Sequence, residues 1–160
     1  MSVPLIRLLL LSFLFLYQPA SALEVLSARF YPQEHLQLEA QWLEPQLRSS
    51  KDRRQENLII ATSSLNELRL TIPAQYLGSI HKIYLVLPKQ FEGVRDQGVD
   101  IHWETRGRFL AGSAKPGQRV LLFQGLIDTE LLWDEIVFTF TIDARYIYGP
   151  MAFHPQYEIE

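Results

Sequence analysis

Asp100, His102 and Glu104 alternate along the stretch DIHWE. In an extended chain, side chains flip with every residue, so this spacing sets an imidazole between two carboxylates on one side. An imidazole so flanked suits a divalent-metal ligand set or a general base. Two residues of strand advance about 7 Å, so the carboxylates begin about 13 Å apart and cannot close on one ion without a bulge or a ligand from a neighbouring strand. A solvent-facing polar stripe accounts for the same spacing. Asp100, His102 and Glu104 therefore stand as weak metal or catalytic candidates, and no metal or other cofactor is assigned.

Ser79 and Lys82 spell S-x-x-K. That tetrad pairs a nucleophile with an amine when both lie on one helical turn. Here it runs into IHKIYLVLP, which reads as a strand, where positions three apart face opposite ways. The chain has no S-D-N or K-T-G partner, no G-x-S-x-G and no H-E-x-x-H. AGSAKPGQ (111–118) is too short and proline-bound to cradle a phosphate, and it reads as a hairpin connection. His35, His81, His102 and His154 are scattered without ligand spacing. No catalytic residue is assigned, and the reading leans away from an enzyme.

Two other groups suit binding. The segment EPQLRSSKDRRQE (44–56) has no apolar period, and Arg48, Lys51, Arg53 and Arg54 set four cations against one Asp within 48–54. Such a loop can meet an acidic protein surface or lipid headgroups, more weakly as salt rises. Trp133, Tyr146 and Tyr148 are the aromatics least explained by periodicity. Flat rings of this kind stack on sugars or anchor protein interfaces.

The elements that must carry these groups follow a period of two. HLQLEAQWL alternates Leu36, Leu38, Ala40 and Trp42 against polar residues, and is the clearest half-buried strand. NLIIATS (57–63), ELRLTI (67–72) and VDIHWET (99–105) follow suit. IHKIYLVLP (80–88) and RVLLFQGLI (119–127) are apolar on both parities, as in strands covered on both faces. In EIVFTFTID, Ile136, Phe138, Phe140 and Ile142 form one face, and the tail repeats the design with Phe153, Pro155, Tyr157 and Ile159. QYEIE at the end reads as an edge strand with an acidic outer face. Helical signals are two: one turn in PAQYLG (73–78), and two turns in DTELLWDE (128–135) with Asp128 as N-cap. Glycine and proline punctuate the runs. Seven to nine short strands at this spacing predict an all-β, two-sheet antiparallel sandwich, immunoglobulin-like, with at most one or two short helical turns.

The first 22 residues have the anatomy of a secretory signal peptide. Arg7 precedes an apolar run from Leu8 to Tyr17 and the small residues Ala20-Ser21-Ala22. The run is shorter than the roughly 20 apolar residues that span a bilayer, although an uncleaved anchor is the alternative. Cleavage after Ala22 leaves 160 − 22 = 138 residues (23–160), which is one domain. Zero cysteines in an exported chain argue against a disulfide scaffold and suit a bacterial envelope protein, periplasmic or secreted. Net charge is −3, or −4 without Arg7, which predicts no nucleic-acid binding.

The expectation is an exported, non-catalytic protein-interaction, accessory or assembly module whose partner is another envelope protein or complex. The mature domain is soluble, with peripheral membrane contact left open. A carbohydrate-binding module using Trp133, Tyr146 and Tyr148 is the alternative. A small metal-dependent hydrolase using Asp100, His102 and Glu104 is the second.

Overall fold

The computed structural model describes residues 23–32, 36, 38–42, 57–95 and 98–160. Over these residues the chain is all-β, with several antiparallel sheets. Its first strands are β1 (Glu24–Val25), β2 (Ser27–Tyr31), β3 (Leu38–Trp42), β4 (Leu58–Ser63), β5 (Asn66–Thr71), β6 (Ser79–Val86) and β7 (Glu92–Val94). After them come β8 (Val99–Thr105), β9 (Gly112–Ala114), β10 (Arg119–Ile127), β11 (Leu131–Asp143), β12 (Ile147–Ala152) and β13 (Gln156–Ile159).

The larger sheet is organised on β11. One edge of this long strand pairs with β5 through Leu131–Ile136 and with β4 through Thr139–Asp143, so β4 and β5 lie end to end against it. Beyond them, β2 pairs with β5 and β3 with β4 in the same end-to-end manner. On the other edge of β11 comes β8, then β9. The second sheet runs β1-β13-β6-β10, and a two-stranded ribbon joins β12 to β7. At the N-terminus the chain changes sheets within a few residues: β1 pairs with β13, and β2 with β5.

Period-two patterning explains the core. Leu68, Leu70, Trp103, Ile136, Phe138 and Phe140 from the larger sheet join Ile83, Leu85, Tyr157 and Ile159 from the smaller in one buried cluster. Leu122 and Phe123 are adjacent yet both buried, because the β10–β6 register slips between Leu121 and Phe123 and reverses the parity there. Gly93 and Gly112 are examples of close approach that leaves no room for a side chain. Gly93 has φ +78° and a side chain there would run into the Pro150 carbonyl, and a side chain at Gly112 would meet the Trp103 ring at 2.7 Å.

The structure corrects four expectations. Residues 131–135 are strand, not helix, whereas the signal at 73–78 does form a single 3-10 turn at Ala74–Tyr76, and another such turn follows β11 at Ala144–Tyr146. The cause is Asp134, which takes an inward strand position between Leu132 and Ile136 and so hides the alternation. QYEIE is not an edge, since β13 lies between β1 and β6. β6 is central but covered on one face only: Ile83 and Leu85 are buried, while Ile80 and Lys82 on the opposite face are exposed. Last, every residue of β3 is exposed.

Candidate functional site

β3 shows why a correct parity need not mean burial. Leu38, Ala40 and Trp42 stand opposite Ser63, Ala61 and Ile59 of β4, so they share the face that Ser63 and Ala61 bury in the core. At β3, however, the larger sheet reaches beyond the cover of its neighbours among the described residues. Leu38 remains over a third exposed, and Trp42 is 61% exposed. The result is a sheet margin with an uncovered apolar face, and β3 pairs with no strand but β4 among the described residues.

Below this margin lies a cavity of about 400 Å³, between the β2–β3 flank and the connection from β12 to β13. Phe30, Leu36, Leu38, Phe91, Phe140 and Phe153 supply apolar wall. Phe153 is the hub of its aromatic lining: it stacks on Phe91 at 5.9 Å and meets Phe140 edge-on at 4.9 Å and Phe138 at 5.2 Å. These are the offset and edge-to-face arrangements that aromatic quadrupoles favour. The ionisable lining residues are His154, which is exposed, and Tyr157, which is 1% exposed. The Tyr157 hydroxyl is closed to solvent and has no hydrogen-bond partner among the described residues. Burial pushes this phenol well above its usual range, so it remains a protonated donor.

The sequence-predicted sites fare differently. Asp100, His102 and Glu104 do share the outer face of β8, all exposed, but Asp100 is engaged apart from the other two. His102 Nε2 is 3.8 Å from Glu104 Oε1, while Asp100 Oδ1 is 3.6 Å from Lys115 Nζ across the sheet. Among the described residues no group of three such donors converges on a metal-sized site. Arg48, Lys51, Arg53 and Arg54 lie outside the described residues.

Trp133 does not form one platform with Tyr146 and Tyr148. It sits near the start of β11, whereas the tyrosines follow its far end, and ten residues of strand separate Trp133 from Asp143, about 33 Å. Tyr146 is half-buried in a 3-10 turn against Gly98, and Tyr148 is 70% exposed on β12. Trp133, 52% exposed, instead neighbours Arg69 of β5, which in turn neighbours Arg29 of β2. The Arg69 guanidinium lies 4.6 Å from the centre of the Tyr31 ring. Tyr31, Arg69 and Trp133 thus make an exposed outer face that no local sequence signal joins, because it spans three strands.

Ser79 and Lys82 also take unrelated partners. Lys82 Nζ approaches Glu160 Oε1 at 3.9 Å. The His81 Nδ1–H donates to the Glu160 main-chain oxygen at 3.0 Å, and Nε2 is hydrogen-bonded to the Ser79 hydroxyl at 2.8 Å. Glu160 also accepts from the Tyr84 hydroxyl at 2.6 Å and from Arg119 at 3.2 Å, and Arg119 lies over the Tyr84 ring. This cluster ties the end of the chain to β6 and β10 on an open sheet face.

No family model matches the chain, and comparison with curated proteins and with solved structures finds no significant match. Among the described residues, no helix is long and apolar enough to cross a membrane.

Proposed function

We propose that this chain is an exported domain of the bacterial envelope, an immunoglobulin-like two-sheet sandwich that binds another envelope protein or complex and is non-catalytic. The switch of the N-terminal strand from β13 to β5 supports the sandwich arrangement. One observation carries the functional reading: the margin at β3, where Leu38 and Trp42 stand uncovered beside unpaired backbone among the described residues. An exposed strand edge offers main-chain hydrogen bonds to a partner's extended segment, and apolar side chains beside it supply affinity. The basic segment with Arg48, Lys51, Arg53 and Arg54 follows Trp42 in the chain and favours an acidic partner surface.

The test is crosslinking in the native envelope with wild type and with Trp42→Glu. The exposed position predicts that the variant keeps its melting temperature and loses the captured protein. Capture that is equal for both proteins counts against the β3 margin as the contact.

A second reading, glycan binding, is favoured by the face shared by Trp133, Tyr31 and Arg69. Retardation on a glycan affinity gel that Trp133→Ala abolishes supports it over protein capture.

A further inference from the structure

We propose that the outer face of β2, β5 and β11 binds an acidic glycan, with a sugar ring on Trp133 and a carboxylate between Arg29 and Arg69. This rests on the glycan reading of that face and names the chemical class of sugar it takes.

The strand register is the first support. Arg29 of β2 stands directly opposite Arg69 of β5, and Arg69 directly opposite Trp133 of β11. The alternate residues settle the side: Leu68, Leu70 and Leu132 are in the core, and Ala28 and Phe30 pack against it. Arg29, Arg69 and Trp133 therefore form one row on the outer face. Three adjacent strands span about 10 Å, the length of a disaccharide.

Charge is the second support, and it is independent of the row's dimensions. Like charges directly opposite each other weaken a sheet, and an anion seated between them removes that cost. The face has no second carboxylate to spare for it. Glu67 accepts from the Arg69 Nε–H, and Glu135 is engaged by Arg106 at 3.5 Å. Arg29 is exposed and makes no ion pair among the described residues, where the terminal nitrogens of Arg69 also find no acceptor. A guanidinium presents its donors as a planar fork that matches the two oxygens of a carboxylate. Two such forks side by side fit an anion brought from outside. A bare anion would leave Trp133 unused, although its ring, 52% exposed beside them, is a stacking surface. A neutral sugar would leave the arginines unused. An acidic sugar engages both.

The experiment titrates the protein with oligogalacturonate and with its methyl ester, the same sugars without charge, following tryptophan emission at low salt. The acid is expected to bind saturably and more tightly than the ester, and its lead should shrink as salt rises. Arg29→Gln is expected to weaken the acid by roughly fivefold, the upper end for an exposed ion pair. Its melting temperature should not fall, because one of two facing like charges is gone. Trp133→Ala should abolish retardation of the protein on an oligogalacturonate affinity gel. Equal affinity for acid and ester overturns the acidic assignment and leaves the glycan reading standing, whereas binding of neither sinks both. Acid binding that survives Trp133→Ala, or that is indifferent to Arg29→Gln, also overturns the proposal. So does binding to phosphatidylglycerol vesicles without binding to the oligosaccharide, which would give the arginines to lipid headgroups.

Discussion

Asp143 and Glu160 are the carboxylates whose chemistry the structure alters most legibly. The Tyr84 hydroxyl, then the Arg119 guanidinium, holds the Glu160 carboxyl below its ordinary value of 4.5. Arg145 does the same for Asp143, whose ordinary value is 3.8. A carboxyl with a depressed folded-state pKa binds fewer protons folded than unfolded, so stability rises with pH in that window. The contribution is fully present above about pH 4.5 for Glu160 and is lost as pH falls through the lower folded value. Thermal melts between pH 7 and pH 3 should therefore show a decline beginning near the ordinary carboxylate range. Tyr84→Phe should flatten it, and superimposable pH profiles for the two proteins would exclude Tyr84 as a cause. The Glu160 cluster was not readable from the chain, because Tyr84 and Arg119 lie on β6 and β10 and Glu160 follows the end of β13.

Within the larger sheet, the weak point is the junction where β4 ends and β5 begins. Both pair with the same edge of β11, and the intervening Ser64 and Leu65 step out of register. Phe138 faces that gap, and its N–H donates to the Ser63 hydroxyl at 2.9 Å in place of a carbonyl. Ser63 in turn donates to the Ser64 carbonyl, and the Asn66 side chain donates to the same oxygen at 2.7 Å. Ser63→Ala leaves a buried amide unpaired and should cost about 1–3 kcal/mol. Urea unfolding should register this as a lower midpoint with an unchanged slope; an unshifted midpoint means another group takes the amide. The sequence signals both strands at 57–63 and 67–72, but it cannot indicate that they form one interrupted ladder. That depends on β11, which lies some seventy residues away.

For the molecule as a whole, the three tryptophans distinguish a covered core from an overhanging margin. Trp103 is fully buried, and its Nε1–H donates to the Leu110 carbonyl at 2.8 Å, while Trp42 and Trp133 are mostly exposed. A protein retaining only Trp103 (Trp42→Phe with Trp133→Phe) should emit at short wavelength and resist acrylamide. One retaining Trp42, with Phe at 103 and 133, should be quenched readily. Protection of Trp42 would mean that something covers the β3 margin.

Alternation alone determined the inward faces of β5, β8, β13 and the Ile136–Ile142 part of β11, and the parity of β3, because a period of two is a local property of the backbone. It also isolated DIHWE as a stripe on one face. Burial is a different matter, since it needs a second surface at the right place. Trp42 and Trp103 carry the same sequence signal, yet one is open and the other sealed, because cover is present over β8 and, among the described residues, none lies over β3. Asp134 makes the converse point: a carboxylate in a core position suggests a helix until its acceptor role toward the Phe109 amide, at 2.7 Å, is in view. The cavity and the unpaired Tyr157 hydroxyl belong to the tertiary structure for the same reason. They are made of spaces and partners between strands, which no stretch of chain encodes by itself.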